Sequence, residues 1–488
     1  MSLGAVLLAA AQRWPTASAL VDDASARRWT FAELAEACAG AGAGLRASGL
    51  APGARVAILA DAQPEYLFAD YGAMAAGLVR VPLDPALSAA ELHRQIEDAE
   101  VQVLLAGASR RALADEIAAA ARIRVLSLGE SRQVASFAPA APGTLATLNY
   151  TGGTSSEPKA VMHTHGSLCA VVRNIVLARG TAAGEVMLNV RPLWPIAAVI
   201  VLAHLAAGGT VVLGGNFEPA RFVDQLRRYA AASTSLVPTH VVRLLRQARK
   251  AELASLDALR AIDVGAAAIP PETFAEAVDA LGPKIGVLYG LTEAPWSCYQ
   301  PPGELVDPHG RPRTGRMRTA GRPVQGCEVR AAAETGEILV RGAHLMQGYW
   351  KRPALTQEVL HDGWFHTGDR GAVDGDGVLS VTGRIKETIR SGGKSVQPEE
   401  VERALCGYPG VAEAAVVGLP DAEWGEIVAA AVVLAPGAVV TAQSLHEYCQ
   451  AELSPHKRPK LIRLVDDLPR SHYGKVQRAK VKAALTGA

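Results

Sequence analysis

Residues Tyr150 to Val161, YTGGTSSEPKAV, combine the groups needed to wrap a phosphate. Tyr150 ends an apolar run and Thr151 begins the loop. Paired glycines follow, then the hydroxyls of Thr154, Ser155 and Ser156, a proline and Lys159. Glycines let backbone N–H groups approach an anion, hydroxyls add donors, and a lysine supplies countercharge. A Walker A loop would end in Gly-Lys-Ser/Thr and run straight into a helix. Here Lys159 follows Pro158, which removes a donor where that loop would use one. The segment reads as a phosphate loop of another kind, with a Ser/Gly-rich surface turn as the bland alternative.

Four further motifs follow in order. YGLTEAP occupies Tyr289–Pro295, DGWFHTGD occupies Asp362–Asp369, GRIKETIRSGGKSVQPEEVE occupies Gly383–Glu402, and PRSHYGKVQR occupies Pro469–Arg478. With the phosphate loop they resemble the adenylate-forming superfamily: acyl- and aryl-CoA synthetases, adenylation domains of peptide synthetases, and firefly luciferase. The resemblance begins near Trp29-Thr30-Phe31-Ala32-Glu33-Leu34 and covers nearly the whole chain. It implies a two-step reaction in which a carboxylate attacks the α-phosphate of ATP, pyrophosphate leaves, and a thiol then displaces AMP. The first step brings two anions together, so such a site must supply positive charge and metal.

The resemblance also implies roles. Thr151, Thr154, Ser155, Ser156 and Lys159 would hold the β- and γ-phosphates. Relatives more often carry Ser at 153, Thr at 155 and Gly at 156 and 160, so this loop is stiffer but keeps its hydroxyls. Tyr289 would stack on adenine beside Gly290, Thr292 would bond the α-phosphate, and Glu293 would ligate Mg²⁺, a hard cation that takes oxygen ligands. Gly265, Ala266 and Ala267 would line the adenine edge. Asp369 would accept both ribose hydroxyls, assisted by Arg384. Lys475 would bridge the substrate carboxylate and the α-phosphate, and Lys386 would be the hinge on which a small domain swings. Ser391, Gly392 and Gly393 would pass a pantetheine arm along the backbone. His165 is expected to order the phosphate loop. Trp194, Pro195, Thr239, His240 and Trp296 are pocket candidates. Pro195 stands where many relatives end this stretch in an aromatic and a histidine, and bulky aromatics tilt the substrate toward aryl or compact acids.

The elements that must position these groups form an α/β fold. Buried strands are expected at Arg55–Leu59, Val101–Leu105 and Thr210–Leu213, alternating with helices at Ala32–Ala47, Glu65–Ala76, Ala89–Asp98 and Ala220–Ala231. The first residues read as an opening amphipathic helix, without the basic region or cleavage site of a signal peptide. A large layered α/β N-terminal domain over 1–383, with a β-rich subdomain from about 303, precedes a hinge at 384–387. A small mobile α+β C-terminal domain fills 388–488, with a helix opening at Pro398 and strands at Ala414–Gly418 and Val428–Leu434.

Composition narrows the function classes. The 488 residues are 49% hydrophobic with a formal charge of +1, which argues against disorder and against a nucleic-acid partner. Six scattered cysteines form no C-x-x-C pair, so zinc and disulfide frameworks are not expected and a reducing cytoplasm fits. The longest apolar segment, Pro195 to Ala207, is too short to span a bilayer. The leading expectation is an ATP-dependent acid:CoA ligase using Mg²⁺, with ATP, CoA and a small carboxylic acid as substrates, working as a monomer or homodimer. Alternatives are a stand-alone enzyme loading a carrier protein, a non-catalytic nucleotide sensor, and a luciferase-like oxygenase.

Overall fold

Thr30 and Glu33 start a helix by capping each other. The Thr30 amide donates to the Glu33 carboxylate at 2.7 Å while the Glu33 amide donates to the Thr30 hydroxyl at 3.2 Å, and the helix runs over Phe31–Ala47. Ser88 and Glu91 do the same for Ala89–Asp98. The opening segment is helical over Leu3–Arg13 and buries Leu3, Leu7 and Ala10. The computed structural model describes residues 1–129, 140–151, 159–267, 269, 271–316, 319–470 and 476–486. It divides into two units, Met1–Val329 with Val340–Phe365, and Arg330–Leu339 with His366–Ala488.

The larger unit is built on two sheets. In one, parallel strands run in the order Ile285–Tyr289, Ala261–Val264, Ser233–Leu236, Val186–Asn189, Thr210–Leu213 and Ser18–Asp22. Cys298–Gln300 and Arg28–Thr30 add to its two ends in antiparallel sense. In the other, Leu145–Tyr150, Val79–Pro82, Arg55–Leu59, Val103–Ala106 and Arg124–Ser127 are parallel. Ala160–Thr164 and Gly348–Tyr349 then continue it antiparallel. The sequence pointed to buried parallel strands, and Arg55–Leu59 and Thr210–Leu213 are such strands. The antiparallel margins are too short for a period to show: Arg28–Thr30, Cys298–Gln300 and Ala160–Thr164 each turn back on the strand before them, and only Gly348–Tyr349 pairs with a distant segment. The expected helix at Ala220–Ala231 spans Pro219–Arg228 instead. Ala230 takes a left-handed φ of 46° and breaks the last turn.

The smaller unit centres on the antiparallel pair Val411–Asp421 and Gly425–Leu434, with Leu461–Leu464 parallel to the latter. Alternation along these strands feeds two cores. Val416, Val428, Ala430 and Val432 pack with the helices Pro398–Cys406 and Ala442–Glu452, while Ala415, Val417, Ala429 and Ala431 pack with Val481 and Leu485. The chain therefore has a mixed α/β fold with a large N-terminal and a small C-terminal part. No helix among the described residues is long and apolar enough to cross a membrane.

Candidate active site

Four neighbouring parallel strands of the first sheet end in candidate residues. Trp194 and Pro195 follow Val186–Asn189, and Thr239 and His240 follow Ser233–Leu236. Gly265, Ala266 and Ala267 follow Ala261–Val264, and Gly290 to Glu293 follow Ile285–Tyr289. Open α/β sheets bind ligands at this carboxyl edge, where loops and the positive ends of the following helices collect. Ala266 and Ala267 are exposed there, and Ala266 bends the chain with a φ of 71°.

The turn after Tyr289 is tightly folded. Leu291 and Ala294 exchange backbone hydrogen bonds of 3.2 Å, and the Ser297 amide returns to the Tyr289 carbonyl at 2.9 Å. A side chain at Gly290 would lie 2.5 Å from the Trp296 nitrogen, so only glycine fits that crossing. Buried donors then hold the two residues expected to handle nucleotide and metal. His163 Nε2 lies 2.7 Å from the Thr292 carbonyl, the Met346 amide donates to the Glu293 carbonyl at 2.8 Å, and the Tyr349 hydroxyl donates to Glu293 Oε1 at 2.9 Å.

A carbonyl only accepts, so His163 Nε2 carries the proton, and Nδ1 faces the Ser167 hydroxyl at 3.0 Å. Burial pushes the His163 pKa down to about 4, against the opposing pull of the Thr292 carbonyl, so the ring is neutral near pH 7. Burial, and then the Glu293 carboxylate, raise the Tyr349 phenol well above its ordinary range and keep it a donor. A second buried histidine, His344, meets the Ser297 hydroxyl at 3.1 Å and fixes the far end of the turn.

The aromatic candidates have distinct surroundings. Trp194 packs 6.2 Å from the Tyr66 ring and precedes a cis peptide to Pro195. His240 stacks on Phe217 at 4.3 Å. Trp296 is only 3% exposed, holds a left-handed φ of 56°, and lies against Tyr299 at 5.3 Å and the Arg179 guanidinium at 5.4 Å. Arg179 in turn pairs with the buried Asp263, which also accepts from the Tyr299 hydroxyl at 2.7 Å. Trp296 thus anchors the turn from behind.

In the smaller unit Asp369 and Arg384 face each other in register across Trp364–Val373 and Leu379–Arg384, with Arg384 Nε 3.0 Å from Asp369 Oδ1. Glu337 steadies the preceding turn by accepting from the Gly368 amide at 2.9 Å and meeting His366 at 3.0 Å. Lys386 lies exposed in the short Ile385–Glu387 turn. Gly392 and Gly393, with φ of 57° and 76°, form the two-residue hairpin between Ile389–Ser391 and Lys394–Val396. That turn type calls for two left-handed residues, which glycine supplies without strain. Ser391 beside it is buried.

Thr151 and Lys159 flank the expected phosphate loop, the Thr151 amide donating to the Lys159 carbonyl at 3.2 Å. Thr154, Ser155, Ser156 and Lys475 lie outside the described residues. His165, expected to order the phosphate loop, accepts from the Leu3 amide at 3.4 Å, whereas its neighbour His163 reaches Thr292. Sequence reasoning passed over His163 and Tyr349. The signal for His163 was its place in a buried strand, where a histidine needs a specific partner.

Residues 7–350 match the profile of the AMP-binding enzyme family, and residues 400–475 match that of the AMP-binding enzyme C-terminal domain. A feruloyl-CoA synthase from Amycolatopsis sp is 35% identical over 93% of each chain. The fatty acid–[acyl-carrier-protein] ligase ScoC of Streptomyces coeruleorubidus is 31% identical over 98% of this chain and 95% of its own. Among solved structures, ATP-bound MatB from Rhodopseudomonas palustris superposes with a TM-score of 0.90 at 27% identity, covering 99% of each chain. The chain belongs to the AMP-binding enzyme family.

Proposed function

We propose that the protein is an ATP-dependent carboxylic acid:CoA ligase. The observation that carries this reading is the carboxyl edge of the larger unit's parallel sheet. Thr292 and Glu293 sit there in a turn braced by buried neutral donors, beside the Gly265–Ala267 edge. A carboxylate oxygen of the acid attacks the α-phosphorus of ATP. The acyl–phosphate bond forms, the bond to the bridging oxygen breaks, and pyrophosphate leaves. A thiol then attacks the acyl carbon and AMP departs.

In this reading Tyr289 stacks on adenine, Thr292 bonds the α-phosphate, and Thr151, Thr154, Ser155, Ser156 and Lys159 hold the outer phosphates. Asp369 takes the ribose hydroxyls, with its carboxylate already oriented by Arg384. Lys475 supplies charge to the meeting anions, and Lys386 is the pivot between half-reactions. Among the described residues no group of three or more His, Cys, Asp or Glu could cage a metal. That fits Mg²⁺ arriving with the triphosphate and gaining one protein carboxylate, Glu293, an oxygen ligand suited to a hard cation. Bound there, the ion would neutralise phosphate charge. Trp194 and its neighbours support an aryl or compact acid. The six cysteines form no disulfide, which supports a reducing cytoplasm. Similarity to a carrier-protein ligase supports a second reading, in which the pantetheine thiol belongs to a carrier.

The test is pyrophosphate release and acyl-AMP formation with MgATP across a panel of organic acids, followed by thioester formation with CoA or carrier proteins. Lys475→Ala should lower adenylation by about 10³-fold, from the loss of one close charge contact, and spare thiolysis of a supplied acyl-adenylate. Absence of any mixed anhydride from the unsubstituted protein refutes the proposal.

A further inference from the structure

The segment that leaves the phosphate loop also supports the Thr292–Glu293 turn, although the two belong to different sheets. Lys159 leads directly into Ala160–Thr164, and His163 on that strand reaches across to the Thr292 carbonyl. Gly348–Tyr349 pairs with the same strand, Tyr349 opposite Val161, and its hydroxyl holds the Glu293 carboxylate. Two adjacent strands thus present two uncharged donors to two consecutive residues. His163 is itself fixed by Ser167, and both His163 and Ser167 are buried. Ser297 with His344 and the Met346 amide already brace the turn by other bonds. The donors from His163 and Tyr349 act on the backbone of Thr292 and the carboxylate of Glu293, the two residues expected to face nucleotide and metal.

We propose that His163 and Tyr349 are positioning residues for nucleotide activation. His163 fixes the Thr292 backbone and Tyr349 aims the Glu293 carboxylate at the cation, both from one pair of adjacent strands. The inference rests on the adenylation reaction proposed above. A carboxylate aimed by a second hydrogen bond presents its remaining lone pairs in a fixed direction, and removing such a support commonly weakens metal binding by 10- to 100-fold.

The test uses the full chain with Tyr349→Phe, which deletes one oxygen, and with His163→Leu and His163→Gln, the latter keeping an N–H donor. Magnesium-dependent binding of a non-hydrolysable ATP analogue, followed by calorimetry, reads the metal side without turnover. Tyr349→Phe should need about tenfold more Mg²⁺ for half-maximal binding, while binding without metal is unchanged. His163→Leu should lower kcat for pyrophosphate exchange about tenfold with KM for the acid unchanged, His163→Gln should recover most of it, and thiolysis of supplied acyl-adenylate should stay within about twofold. An unaltered Mg²⁺ requirement in Tyr349→Phe, or equal loss of both half-reactions in folded His163→Leu, overturns the proposal. Should the unsubstituted protein activate no acid at all, the adenylation reading falls, and the magnesium titration of analogue binding still decides the positioning role.

Discussion

Both units hold paired charges, the larger one fully buried at Arg80–Asp70 and Arg179–Asp263, but they brace their turns differently. The larger unit buries neutral histidines, each bonded to a carbonyl, amide or hydroxyl, and sets two of them around the turn that carries Thr292 and Glu293. The smaller unit relies on a half-buried charge, Arg478. Arg478 donates to Glu387 at 2.8 Å and Glu399 at 3.1 Å, pairs with Glu402, and also bonds the Val416 carbonyl at 2.7 Å. Neutral donors orient a turn without adding field to it, which suits the balance of phosphates and cation in the proposed function. An arginine surrounded by carboxylates ties together segments that local structure leaves apart, here the Ile385–Glu387 turn, the helix at Pro398 and the C-terminal helix Arg478–Thr486. Positioning and fastening call for different chemistry.

Acid should separate the two most strongly. Burial pushes His163, His165, His204, His240 and His344 down to about 4, and all five lie in the larger unit. Between pH 6.5 and 4 the unfolded chain binds protons that the folded one refuses. This stability is therefore present above pH 6.5 and lost on descent to pH 4, at up to about 3 kcal/mol for each fully buried ring. Urea unfolding of the larger unit at pH 7.5, 6 and 5 should give steadily lower midpoints with net proton uptake. A pH-independent midpoint would break the contrast.

Next in size is Arg478→Met. Removing the arginine of this half-buried cluster leaves its carboxylates uncompensated and costs up to about 3 kcal/mol. Burial already raises the Glu399 pKa, with Arg478 as the chief opposing influence, so the variant should recover part of its stability at pH 5 relative to pH 7.5 as that carboxyl takes up a proton. Its pH response would thus run opposite to that of the histidine-rich unit. Equal destabilisation at both values, read by chemical denaturation, would contradict this.

The smallest effect sharpens the reading of the glycine pair. A side chain at Gly392 would meet the Trp424 ring at 2.8 Å, and Lys460 lies 3.4 Å from the centre of that ring. Gly393 has open space around it. Gly393→Asn suits a left-handed turn and should change stability by less than about 0.5 kcal/mol. If thioester formation also persists, the turn explains the glycines. If it collapses in a folded variant, pantetheine passage does.

Much of this was legible in the sequence for identifiable reasons. Capping boxes wrote the starts of Phe31–Ala47 and Ala89–Asp98 in adjacent residues, and β-branched runs marked the buried parallel strands. Residues after Tyr289 were readable because motif and strand end coincide. His163 and Tyr349 were not, since their partners lie 129 and 56 residues away and only tertiary pairing brings them together. The glycine pair suits both an expected pantetheine path and the hairpin turn it forms, and spacing alone does not separate the two. Arg478 was quoted as part of a motif, yet its three carboxylate partners came from a fold contact no spacing announces.

Trp296 has one more consequence. A bulky residue in a left-handed conformation stores roughly 1 kcal/mol, and here indole contacts with Arg179 and Tyr299 keep it from relaxing. The hairpin carrying Thr292 and Glu293 is therefore a loaded spring whose latch is the Arg179–Asp263 pair, deep beneath the sheet edge. Substitutions at that latch should retune the hairpin that carries Thr292 and Glu293 without altering either residue.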